Sequence, residues 1–328
     1  MSALDVYNKS IVFDGLNICN WSRDIFEGWH KGGITGVSAT VGLWENFRDS
    51  IFNVVAFNKL FEEHSDLILQ IRTTEDIRRA KREGKTGVLL SWQNTSGIED
   101  RIDFLQIFRD LGVLKMQLTY NTQNYSGAGY LELKDSGLTG FGREVVDEMG
   151  RVGIVCDLSH VGPQTSADVI EYAKVPPCFS HVLPAGMKDH KRNKSDELLR
   201  ACGARGGMIG LSQFGPFMQH GNDSTIDHYI EAVDYIIDLA GEDNVGLGTD
   251  ASEGHARPSA YLEWCNHDKG YARELTPFGH AKVVKPLGPL SERAAIADAM
   301  ARAGWSDAKI VKILGENWMR YLKQVWGN

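Results

Sequence analysis

The feature that most constrains the fold is the alternation, along almost the whole chain, of short apolar runs with longer segments of helical character. Runs of strand length occupy 10–13, 35–41, 87–91, 113–118, 153–158, 177–180, 207–211 and 245–248. Segments with helical periodicity or capping signals fall between them at 47–62, 74–82, 101–110, 140–149, 165–173, 195–201 and 226–239. Several of the short runs are continuously apolar rather than alternating, which is the pattern of parallel strands covered on both faces. Eight strand–helix units in roughly 250 residues match an α/β fold of the (β/α)8 TIM-barrel type, and an open doubly wound sheet fits that count less well. Two further helical segments, 290–303 and 306–325, separated at Gly304, are expected to pack on the outside of the barrel. The stretch 251–289, rich in Gly, Pro and aromatic residues, is expected to cover one of its ends. No repeat beyond the strand–helix alternation and no linker divides the chain, so one domain is expected over residues 1–328.

Composition removes several classes of function. With 42% apolar residues over 328 positions the chain can bury a large core. A net charge of −8 with no basic block lacks the electrostatic footprint of a nucleic-acid binder. No apolar run reaches the ~18 residues of a membrane span, and the first residues carry no signal-peptide pattern, so a soluble cytoplasmic protein is expected. Five cysteines, odd in number, scattered and without a C-x-x-C pair, argue against a disulfide framework or a thiolate zinc cluster.

In such a barrel the chemistry gathers at the carboxyl ends of the strands. The residues there are Asp14 to Asn17 after the first run, then Trp92, Gln93 and Asn94, then Thr119, Tyr120 and Asn121. Ser159 and His160, His181, Gln213, and Thr249 with Asp250 complete the set. His160 and His181 come from consecutive strands, and Asp250 follows the last strand, which neighbours the first in a closed barrel. Two imidazoles and a carboxylate have the composition of a catalytic zinc or iron site with open positions. Arg192 and Asn193, shortly after His181, suit a clamp for a substrate carboxylate.

At this level of detail the chain resembles the membrane (renal) dipeptidases, peptidase family M19, a branch of the amidohydrolase-like barrels. The matching segments are GVLLSW, LGVLKMQLTYNTQN, GLTGFGREVVDEMGRVGIVCDLSHVG, FSHV, RNKSD, GGMIGLS, NVGLGTD and ILGENWMRYLKQV. They run from Phe13 nearly to the C-terminus. The resemblance implies a dinuclear zinc peptidase that cleaves dipeptides, and a homodimer.

Set residue by residue on this sequence, the family's site is incomplete. Its first-strand His-x-Asp ligand pair falls on Leu16 and Ile18, its bridging Glu on Gln93, and its oxyanion-side His on Tyr120. His160 and His181 remain as the ligands of one metal, Asp250 as a ligand and proton carrier, and Arg192 as the residue that binds the substrate carboxylate.

The expectation is therefore no dinuclear centre and at most one weakly held zinc on His160, His181 and Asp250. Gln93, Arg192 and Asn193 are expected to contact the substrate, while Asp250 and Tyr120 serve as the catalytic pair. Leu16 and Ile18 leave one wall apolar, and with Trp21 and Trp44 nearby it would suit a small cation over an aromatic face. The leading expectation is a hydrolase of a dipeptide or related amide. The alternatives are a degenerate member that only binds a small molecule, and a metal-independent lyase or isomerase using Asp250 as base.

Overall fold

The computed structural model describes residues 2–255, 263–265 and 287–327, so most of the covering segment expected at 251–289 lies outside the described residues. The parallel strands are β1 (Phe13–Asn17), β2 (Gly36–Gly42), β3 (Ile68–Gln70), β4 (Thr86–Trp92), β5 (Val113–Gln117), β6 (Val155–Asp157), β7 (Cys178–Val182), β8 (Met208–Leu211) and β9 (Val245–Leu247). Eight of them close a ring in the order β1, β2, β4, β5, β6, β7, β8, β9 and back to β1. This is the (β/α)8 barrel that the alternation predicts.

β3 is an addition to that ring. It pairs with the first half of β4, Thr86 to Val88, while β5 pairs with the second half, Leu90 to Trp92, on the same edge. Without it, the amino-terminal half of a seven-residue strand would present unpaired backbone groups. The strand run expected at 10–13 also shifts. β1 begins at Phe13, so Asp14 to Asn17 belong to the strand itself, and Ser10 instead caps the preceding helix.

The helices around the barrel are α1 (Ala3–Lys9), α2 (Arg23–Lys31), α3 (Phe47–Glu63), α4 (Thr74–Glu83), α5 (Phe104–Asp110), α6 (Gly140–Val152), α7 (Pro163–Tyr172), α8 (Asp196–Ala204) and α9 (Ile226–Ala240). α1 and α2 were not anticipated by the run pattern. α1 starts on a Ser2–Asp5 capping box. α2 buries Ile25, Phe26 and Trp29, one face of a 3.6-residue period.

The C-terminal helices correct the expectation of an outer layer. After Ala295–Arg302 come Asp307–Val311, a π-helical turn at Lys312–Glu316, and Asn317–Trp326. The last helix closes the amino-terminal end of the barrel. Trp318 lies 5.6 Å from the Phe13 ring and its indole N–H donates to Leu247 O at 2.8 Å. It joins one apolar cluster with Leu89, Leu114, Val155, Cys178 and Met208, the inward residues near the strand starts. The lower end is thus plugged, which leaves the carboxyl end to carry the chemistry. Among the described residues no helix is long and apolar enough to cross a membrane.

Candidate active site

Above the apolar plug the barrel interior turns polar. Lys115 on β5 donates to Gly15 O across the barrel at 2.7 Å and stands 3.7 Å from Asp157 Oδ2. Asp157, at the end of β6, accepts from Ser159 N at 3.0 Å, Ser159 Oγ at 2.6 Å, Ser180 N at 3.0 Å and the Ser180 hydroxyl. A carboxylate with that many donors is fixed in place and can only accept.

That constraint propagates upward. Ser180 Oγ gives its one proton to Asp157, so towards His181 Nδ1, 2.8 Å away, it can only accept. His181 therefore carries its proton on Nδ1. His160 Nδ1 lies 2.6 Å from Asn121 Oδ1, and with the amide oxygen set on that side, leaving the buried Asn121 Nδ2 without a partner, the His160 proton sits on Nδ1 as well. Both Nε2 atoms are left with lone pairs, and they face each other at 2.9 Å. Burial, with Arg192 nearby, holds both imidazoles well below the ordinary histidine value and hence neutral. Two converging lone pairs repel unless a cation lies between or beside them.

The donor chemistry thus fits one metal ion at the imidazole pair, with each ring oriented through its other nitrogen as metal-ligating histidines are. Two nitrogens on one tetrahedral zinc stand about 3.3 Å apart, close to the spacing here. Leu16 and Ile18, on which the resemblance sets the first metal's ligand pair, are fully enclosed and offer no donor atom. Among the described residues no group of three His, Cys, Asp or Glu side chains assembles as a ligand set. Asp250, expected as the third ligand, does not join the two histidines in such a set.

The other expected residues are all at the same end of the barrel. Gln93 follows β4, donates to Thr40 Oγ1 at 2.9 Å, and has a buried Oε1 without a partner. Gln117 donates to Gln93 O at 2.6 Å and accepts from His160 N at 3.3 Å, tying the two strand ends together. Tyr120 stacks on His160 with centroids 4.3 Å apart and meets Trp44 edge-on at 5.3 Å. Asp250 is partly exposed at the mouth and has φ 58°, a left-handed conformation that Asp tolerates better than most residues. Burial of its carboxyl among protein atoms, with Arg192 opposing, raises its pKa to about 6.

Arg192 is 4% exposed and donates to Ser159 O at 2.5 Å and His181 O at 3.0 Å. It holds the two histidine-bearing strand ends, and a guanidinium has five N–H groups, so donors remain for a ligand. Asn193 donates to Lys188 O at 2.9 Å and Phe217 O at 3.0 Å, binding two loops together, and its Oδ1 has no partner. The supporting residues Asp157, Ser180, Lys115 and Gln117 were not singled out from sequence, whereas Asn121 stood among the strand-end residues. The available signal was a charge inside an otherwise apolar run: Lys115 and Asp157, on adjacent strands, each needed a buried partner.

Comparison with known proteins places this arrangement in context. The family model for membrane dipeptidase, peptidase family M19, matches residues 31–269. A crystal structure described as an amidohydrolase from Pseudomonas aeruginosa is 47% identical and covers 100% of both chains with a TM-score of 0.95. The dipeptidase tcpJ of Claviceps purpurea is 26% identical over 284 residues, 85% of this chain and 60% of that protein. An uncharacterised dipeptidase of Schizosaccharomyces pombe is 29% identical over 210 residues, 62% of this chain and 50% of that protein. The chain therefore spans only about half to three-fifths of the length of these curated relatives.

Proposed function

This chain belongs to the membrane dipeptidase family, peptidase family M19, and from that premise we propose that it hydrolyses the amide bond of a dipeptide or a related small molecule bearing a carboxylate. The observation that carries the reading is the pair of neutral imidazoles converging at 2.9 Å, at the same end of the barrel as the Asp250 carboxyl raised to about 6. His160 and His181 would hold one zinc ion, with the unpartnered Gln93 Oε1 as a further oxygen donor. Bound there, zinc would supply Lewis-acid polarisation of the scissile carbonyl.

The protein's own groups do the rest. Arg192, within electrostatic reach of Asp250, orients the substrate carboxylate with its remaining N–H donors and fixes the histidine strand ends. Asp250, ionised above about pH 6, takes the proton of the attacking water and returns it to the leaving amine. Tyr120, held flat on His160, donates to the oxyanion that develops on the carbonyl. The enclosed Leu16 and Ile18 keep bulk water off one side. A cytoplasmic setting is proposed from the five scattered cysteines, whose number and spacing do not suit a disulfide framework. A homodimer is proposed on the family resemblance.

The test is a panel of dipeptides incubated with zinc-supplemented protein, with released amino acids separated and counted. Release that falls by roughly two orders of magnitude or more in Asp250→Asn supports the assignment. Ligand-induced thermal stabilisation with no release from any member of the panel contradicts it, and marks a protein that binds without turnover.

A further inference from the structure

A cleft of 450 Å³ opens beside the site, between the ends of β1 and β2 and the flank of α3. It touches the site through Thr40, which lines the cleft and accepts from the Gln93 amide at 2.9 Å. Its walls are aromatic and aliphatic, with Trp21, Phe57 and Trp264 among them. Trp21 is locked by its indole N–H to Thr40 O at 3.1 Å and by edge contact with Phe57, so its ring is a fixed surface rather than a mobile cover.

The charge at the cleft has one sign. Glu45 lines it, and no Lys or Arg does among the described residues. Glu45 is held by Leu43 N at 2.6 Å and Trp44 N at 3.0 Å on one oxygen and by Trp264 Nε1 at 3.2 Å on the other. The same indole thus anchors the carboxylate and forms part of the wall. His255, which also lines the cleft, is tied to Ile18 O at 2.9 Å.

We propose that this cleft is a specificity pocket for a positively charged substrate side chain, an ammonium or guanidinium group on an apolar stem. Rigid indole and phenyl faces attract a cation through their quadrupoles and receive the methylene stem, and the fixed carboxylate favours the charge further. An anionic side chain would meet Glu45, and among the described residues no Lys or Arg lines the cleft to offset it. The inference rests on the hydrolytic reading for its substrate, and extends it from any small amide to one with a basic side chain.

Binding and turnover are measured separately. n-Butylguanidinium and its neutral counterpart 1-pentanol are titrated into the whole protein by calorimetry, with tryptophan fluorescence as a second readout. Saturable binding of the cation, at least about tenfold tighter than the alcohol, is expected. Glu45→Gln, which keeps an oxygen acceptor for the loop, should weaken it about fivefold or more, and Trp264→Leu should do likewise with the melting temperature checked for both. Equal binding of cation and alcohol, or cation binding unchanged in both variants, overturns the pocket. In parallel, kcat/KM is compared for dipeptides carrying arginine and its neutral isostere citrulline. Cation binding without any turnover would sink the hydrolytic assignment while leaving the pocket standing, and turnover without preference for arginine would do the reverse.

Discussion

The chemistry at residue scale follows from proton positions that the buried hydrogen bonds define once the Asn121 amide oxygen is set toward His160. Asp157 fixes Ser180, Ser180 fixes His181, and Asn121 fixes His160, so that two neutral imidazoles present lone pairs to one point. Asp250, with its carboxyl at about 6, must be ionised to accept a proton. Activity should therefore fall as pH drops through about 6, some two units above where an ordinary aspartate would place that limb. A pH profile of kcat/KM checks this, and a limb near 4 would remove Asp250 from the role of base. Gln93→Glu should strengthen metal affinity by tenfold or more, because a carboxylate replaces a neutral, unpartnered carbonyl oxygen at the position where the family has its bridging Glu. Competition with a chelator of known affinity measures the change. His160, His181, Asp250 and Tyr120 were legible in the sequence because each follows or ends a strand run. Asp157 and Lys115 were not, because a charge inside a strand run reads as part of the strand until its partner across the barrel is known.

At the scale of elements, the strand count and the alternation were written in the apolar runs, and the departures have local causes. β3 is three residues long and leaves no periodic trace, yet the free edge of β4 demands it. The C-terminal segment reads correctly as helical, but amphipathicity alone does not say whether it lies along the barrel or across its end. Trp318, 1% exposed, decides the matter by filling the bottom of the barrel against Phe13. Trp318→Ala should cost about 3–5 kcal/mol, read as a lowered denaturation midpoint at unchanged slope. A cost within the range of a surface substitution would mean that the helix is not the plug. At Gly15 the approach is so close that a Cβ would overlap the Trp318 ring and Ser180 O. Gly15→Ala should therefore destabilise by overpacking, about 1–3 kcal/mol.

The whole molecule is a barrel closed below by its last helix, Asn317–Trp326, and open above onto the candidate site. Where the family resemblance puts the first metal's ligand pair, this chain has the buried Leu16 and Ile18, which contribute packing and exclude water instead of charge. Because the imidazole lone pairs repel in the absence of a cation, metal binding should raise the melting temperature of the whole chain, and His160→Ala should abolish that rise. The central claim is tested most directly by anomalous diffraction at the zinc edge from crystals grown with excess zinc. One peak beside the Nε2 atoms of His160 and His181, with none near Leu16, is the predicted result. A pair of peaks bridging both positions, or no peak at the two imidazoles, would contradict it.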